Sequence, residues 1–239
     1  YRIDNLNERI FSILYDDNTY RITTIAPENA SPSHNYYSEN AVFFSGYIQD
    51  KLEYQSFIMN AGLRYDLFDP QSTHIDSLLN PEHGLVKSTK KNMISPRIGV
   101  AYPITDEGIL HFSYGHFYQM PTMRNLFLKN IFGAGLSPTI GYSDLKPQKT
   151  VMYEFGLQQQ LSRYIAINGS LFYKDIRDLL ALQTINYNSP TYGPSSYSVY
   201  LNKDYYMVYV ITLSLTKRSD QKTKTSAFID YYFQMTEGN

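Results

Sequence analysis

The side chains best able to ligate a metal or move a proton near neutral pH are five histidines: His34, His74, His83, His111 and His116. No two have the His-x-x-x-His spacing that places two ligands on one helical face. The lack of cysteine removes thiolate nucleophiles, Cys-ligated metals and disulfides. There is no Gly-x-Ser-x-Gly elbow and no phosphate-binding loop. Gly133-Ala134-Gly135 starts like a dinucleotide-binding turn, but Pro138 stands where the third glycine belongs, so the stretch reads as a flexible loop. The expectation is a protein with no catalytic residues, no metal and no cofactor. What remains is recognition. Arg64, Asp66, Arg97, His111, Gln119, Glu154 and Lys174 can bind by charge and hydrogen bonds, and Tyr187, Tyr192 and Tyr197 can stack. The charges can equally pair with one another or with a neighbouring domain, and the tyrosines can belong to a plain solvated loop.

Strands must position these groups. Met59, Ala61, Leu63, Tyr65 and Leu67 alternate with Asn60, Gly62, Arg64 and Asp66, so one face is apolar and the other polar. The same period of two recurs at Val42–Gln49, Arg97–Ile104, Leu110–Gly115, Val151–Gln158, Ile165–Lys174, Met207–Leu215 and Ala227–Phe233, giving about eight strands. The candidate charges Arg64, Asp66, Arg97, Glu154 and Lys174 fall on the polar face. So do Lys51 and Asp230, and the glycines at 62, 99, 115 and 156. Such glycines fit either strand curvature or the close approach of another backbone.

Alternation alone fits a soluble sandwich, whose apolar face is the core, or a membrane barrel, whose apolar face meets lipid. Three features favour the barrel. Short turns at Gln55-Ser56, Thr105–Gly108, Ser162-Arg163 and Lys217–Lys222 alternate with long segments near 69–93, 119–149 and 178–203. The strands are long enough to cross an apolar band of about 25 Å. Aromatics at strand ends (Tyr54, Phe68, Tyr102, Tyr118, Tyr173 and Tyr205) suggest interfacial girdles. The stretch Met123–Asn130 could form a short helix in the barrel mouth.

Composition is compatible with this. Aromatics make up 15%, with 24 Tyr, 13 Phe and no Trp. A net charge of −1 gives no field for nucleic acid. No apolar run approaches the roughly 20 residues of a membrane helix, and a mean hydropathy of −0.37 does not weigh against strands that alternate their faces. The opening Tyr1-Arg2-Ile3-Asp4 is not a signal peptide, and Glu237-Gly238-Asn239 supplies no closing strand. The expectation is therefore a piece of a longer chain. Residues 1–40 are expected to be an extracellular-side loop and strand lead-in, and 41–239 a partial barrel.

Several stretches carry a family resemblance. Gly46-Tyr47-Ile48-Gln49-Asp50-Lys51-Leu52-Glu53 followed by Asn60-Ala61-Gly62-Leu63-Arg64-Tyr65-Asp66 resembles strand pairs of TonB-dependent receptors. Ser95-Pro96-Arg97-Ile98-Gly99 with Tyr114-Gly115-His116-Phe117-Tyr118-Gln119-Met120-Pro121 resembles the next hairpin. Leu145–Thr150 with Tyr153–Gly156, and Tyr173–Leu179, add two further matches, with the flavour of receptors from Bacteroidetes-like bacteria. The resemblance implies an all-β fold: an antiparallel transmembrane β-barrel of about 22 strands around a plug, of which this chain supplies part. It also implies active uptake across the bacterial outer membrane. The expected partners are the chain's own plug domain and remaining barrel strands, TonB in the periplasm, outer-membrane lipid and lipopolysaccharide, and a small-molecule or oligomeric ligand. A smaller passive or structural barrel and a secreted β-sandwich binding module are the competing readings.

Overall fold

The computed structural model describes residues 2–11, 13–15, 22–25, 34–128, 139–219 and 224–238. The Gly133–Gly135 loop, Pro138, the end of the expected helix at Asn130, and residues 220–222 of the fourth short turn lie outside the described residues.

One antiparallel sheet dominates. Its long strands are β1 (Arg2–Phe11), β4 (His34–Tyr54), β5 (Phe57–Asp69), β8 (Lys91–Thr105), β9 (Gly108–Gln119), β11 (Gln148–Ser162), β12 (Ile165–Ser189), β13 (Gly193–Lys217) and β14 (Ala227–Gly238). Each pairs with the next in that order. The short β10 (Thr139–Ile140) runs parallel to β13. Two small hairpins complete the set: β2 (Ile13–Tyr15) with β3 (Ile22–Ile25), and β6 (Thr73–Ile75) with β7 (Leu85–Lys87). The all-β antiparallel barrel-wall architecture agrees with the sequence. The sheet begins earlier than the alternation indicated, because β1 pairs along about the first half of β4, from Phe11↔His34 to Arg2↔Phe43.

The segment near 178–203 is not a loop. It continues β12 and β13 as a paired ribbon, from Leu180↔Asn202 to Ser189↔Gly193, closed by Pro190, Thr191 and Tyr192. A bulge separates ribbon from sheet. The register shifts between Ile176 and Leu180, and Asp178 takes φ 60°. A bulge re-aims the alternation. Below it the polar face of β12 carries even positions such as Ser170 and Lys174. Above it the buried positions are odd, with Ile185, Tyr197 and Val199 covered and Leu182 exposed. Pro194 and the serine-rich stretch hid this pairing from sequence patterning.

The side of the sheet that is covered decides between sandwich and barrel. On the apolar face Leu63, Ile98, Phe112, Phe155, Leu171, Ile211 and Leu213 are each 40–50% exposed. On β8 the polar-face residues Lys91, Met93 and Ser95 are buried, whereas Asn92 and Ile94 between them are exposed. The cover comes from the described parts of the chain between β9 and β11, residues 120–128 and 139–147. Its helix α1 (Met123–Phe127) is capped by Thr122, whose Oγ1 accepts from the Asn125 amide at 3.4 Å. Leu126, Phe127 and Leu145 pack on Ala41, Phe68 and Met93 of β4, β5 and β8. Each such burial stabilises by about 1.5–3 kcal/mol. A sandwich would cover the apolar face; here the loops fold over the polar one.

Two girdle expectations need correction. Phe68 lies on the polar face, opposite Phe43 at 4.6 Å, and is fully buried. Tyr118 packs against the core under α1. The aromatic belt is instead a row across four strands: Tyr114, Tyr153, Tyr173 and Tyr209, with successive ring centroids 5.0, 6.0 and 4.9 Å apart. Aromatic cross-strand neighbours of this kind stabilise the sheet as well as suiting an interface.

Candidate functional site: the inner wall and its cap

On the polar wall most charges already have partners. Arg64 and Asp66 stand two apart on β5, hence on one face, and form a bidentate pair at 2.7–3.0 Å. Glu154 accepts from the Ser113 hydroxyl at 3.1 Å and lies 3.6 Å from His111 Nε2. His111 faces Gly156 in the register, and a Cβ at Gly156 would run into the imidazole ring. That glycine is therefore explained by the histidine it accommodates. Arg97 stacks its guanidinium 4.6 Å from the centroid of Phe117, over Gly115. Gly99 and Gly62 differ from these: a Cβ at Gly99 would meet nothing, and one at Gly62 only ordinary contacts. Lys174 sits across from Met152. Gln119 is exposed at the upper end of β9, opposite Gln148.

Above the wall, three segments interlock into a cap. Ser88, which follows β7, shares a hydroxyl hydrogen bond of 2.5 Å with Ser143, and the Ser143 hydroxyl donates to the Thr73 carbonyl at 3.0 Å. Asp144 accepts from the Thr89 amide at 2.8 Å, from the Thr89 hydroxyl at 2.6 Å and from the Lys91 ammonium at 2.6 Å. Burial pushes the Asp144 carboxyl up, but the Lys91 and Thr89 contacts outweigh it and leave its pKa below the ordinary value. His74 approaches Ser88 at 3.3 Å and sets its ring edge-on to Tyr142, 4.7 Å away; burial lowers its pKa. On the far side Asn202 clasps Lys146 through both backbone groups at 2.8 and 3.0 Å, and donates to the Asp178 carbonyl at 2.8 Å. Sequence reasoning missed this seam. Its partners are more than fifty residues apart, and single Ser, Thr and Asp residues in loops carry no local signal.

The three candidate tyrosines separate. Tyr197 is fully buried, donates its hydroxyl to the Leu78 carbonyl at 2.6 Å, and has its pKa pushed by burial to about 12. It anchors the 76–84 turn to the ribbon and offers no open ring face. Tyr187 is half-buried, edge-on to Tyr197 at 5.8 Å. Tyr192, at the ribbon tip, is 77% exposed.

A sheet with a bare apolar face, a tyrosine belt and a polar wall capped by loops defines a sector of an outer-membrane β-barrel. The chain belongs to the TonB dependent receptor-like, beta-barrel family, whose model matches residues 5–224. Solved structures agree in fold. The outer membrane transporter YddB from Escherichia coli is 17% identical, with a TM-score of 0.63 over 86% of this chain and 26% of that one. The siderophore receptor PirA from Pseudomonas aeruginosa is 12% identical, with a TM-score of 0.59 over 85% and 37%. The copper transporter OprC is 15% identical, with a TM-score of 0.57 over 93% and 33%. The chain thus spans about a quarter to just over a third of the length of these proteins. Among curated proteins none matches it.

Proposed function

We propose that the parent protein imports a scarce solute (a siderophore, cobalamin, oligosaccharide or peptide) across the outer membrane with energy delivered through TonB. This chain supplies a sector of the barrel wall and part of the cap where the ligand is first met. The observation that carries the reading is the covered polar face: loops fold over a charged wall and leave the apolar face to lipid. In this reading a plug fills the lumen, the parent's other strands pair with β1 and β14, and outer-membrane lipid and lipopolysaccharide meet the tyrosine belt. Tyr192 and Tyr187 on the ribbon and Gln119 at the rim make the first ligand contacts. Arg97, Lys174 and the His111–Glu154 pair follow down the wall. Arg64 and Asp66 satisfy one another and serve the wall or a plug contact. The names of PirA, a siderophore receptor, and OprC, a copper transporter, put siderophores and copper first in the screen.

The test is uptake of labelled ligand by cells carrying or lacking the parent gene, with and without functional TonB. Uptake that needs both is the expected result. Uptake that persists without TonB overturns active transport and makes the protein a passive barrel.

A further inference from the structure

Among the described residues, most cations on the polar wall have an acid of their own. Arg64 has Asp66, Lys91 has Asp144 and Lys51 has Glu53. Arg97 and Lys174 have none within ion-pair distance. The register puts these two in one cross-strand row: Arg97 opposite Gly115, Gly115 opposite Met152, and Met152 opposite Lys174. Three strand spacings separate their backbones by about 14 Å, and both side chains are long enough to lean toward a shared anion. Between them the floor holds only a glycine and an unbranched thioether. The nearest carboxylate by register, Glu154, lies two residues along β11 from Met152 and already accepts from Ser113, with His111 beside it.

Arg97 is oriented without any acid. The Phe117 ring holds it, and Gly115 makes room for that ring, since a Cβ there would stand 3.0 Å from Phe117. A guanidinium fixed by an aromatic face keeps its fork of donors free for a carboxylate or phosphate. We propose that the row Arg97–Gly115–Met152–Lys174 is an anion site on the inner wall, and that the cargo carries carboxylate or phosphate groups. This rests on the transport reading above.

The test uses the full-length parent receptor in detergent, with citrate and pyrophosphate as separate probes in isothermal titration at low and high salt. Saturable, salt-sensitive binding of one probe is expected, and which probe binds identifies the anion class. The double variant Arg97→Gln/Lys174→Gln should weaken it at least tenfold, and Arg97→Lys/Lys174→Arg should keep it within a few-fold. The absence of saturable binding of either probe overturns the proposal, as does binding unchanged by the Gln variants. So does a lowered unfolding temperature of the Gln variant with probe binding unaltered, which would assign the two cations to holding the plug. TonB dependence of uptake is measured separately, so failure of the anion site and failure of the transport reading are distinguishable.

Discussion

Tyr197 joins two distant segments through one hydroxyl. Replacing it with Phe removes the donor to the Leu78 carbonyl and keeps the ring, so the expected cost is about 1 kcal/mol. Faster cleavage of the 76–84 turn under limited proteolysis would report it; unchanged cleavage would show that the hydroxyl does not hold the turn. Gly156 makes a sharper case. Gly156→Ala drives a methyl into the His111 ring and should destabilise by about 1–3 kcal/mol, whereas the same change beside His111→Ala should cost close to nothing. Denaturant unfolding of the four proteins of that cycle measures the coupling. The charged candidates Arg64, Asp66, Arg97, Glu154 and Lys174 were legible as wall residues because period two fixes their face. Their partners were legible only where they sit on the same strand, as Arg64 and Asp66 do.

Elements differ in how far sequence foretold them. The hairpins around Gln55-Ser56, Thr105–Gly108 and Ser162-Arg163 were readable because strand length, alternation and turn residues agree. The ribbon of β12 and β13 was not, because a bulge at Asp178 reverses the pattern halfway up. The positive φ there favours Gly or Asn and disfavours β-branched residues. Asp178→Gly should therefore be tolerated, and Asp178→Val should loosen the ribbon by about 1–3 kcal/mol, read as lost amide protection in 180–189. The seam between 70–90 and 139–147 has a definite pH response. His74 has a lowered folded pKa, so its neutral form stabilises the seam above the unfolded value of about 6.5, and that contribution declines as pH falls below it. Asp144 also has a lowered folded pKa, so its contribution is present above about 3.9 and is lost only as pH drops through the folded value. Of these two groups, His74 is the one whose contribution declines between pH 7 and 5. Hydrogen exchange of the 70–90 peptide, corrected for intrinsic rates, should show it in the parent and not in His74→Gln. A response that survives His74→Gln would assign it elsewhere.

At the scale of the whole molecule, the bare apolar face makes its own demand. Arg at Leu63 or Ile211 should cost about 2–4 kcal/mol near the bilayer midplane, while Arg at Asn60 or Ser214 should cost little; folding titrations into lipid vesicles compare them. Equal costs on both faces would contradict the lipid assignment. Architecture was readable here because one rule, alternation with unequal connections, repeats along the chain. The cap was not, because it is assembled from contacts between segments far apart in sequence.

The ribbon above Asp178 also has a reach. Its paired residues Leu180–Ser189 add roughly 30 Å of strand at about 3.3 Å per residue, ending in the exposed Tyr192. In the orientation proposed above, such a lever carries that ring well beyond the rim of the sheet. In that orientation the tip is therefore the first part of the described wall that a bulky visitor coming from that side would meet, ahead of the seam that anchors it.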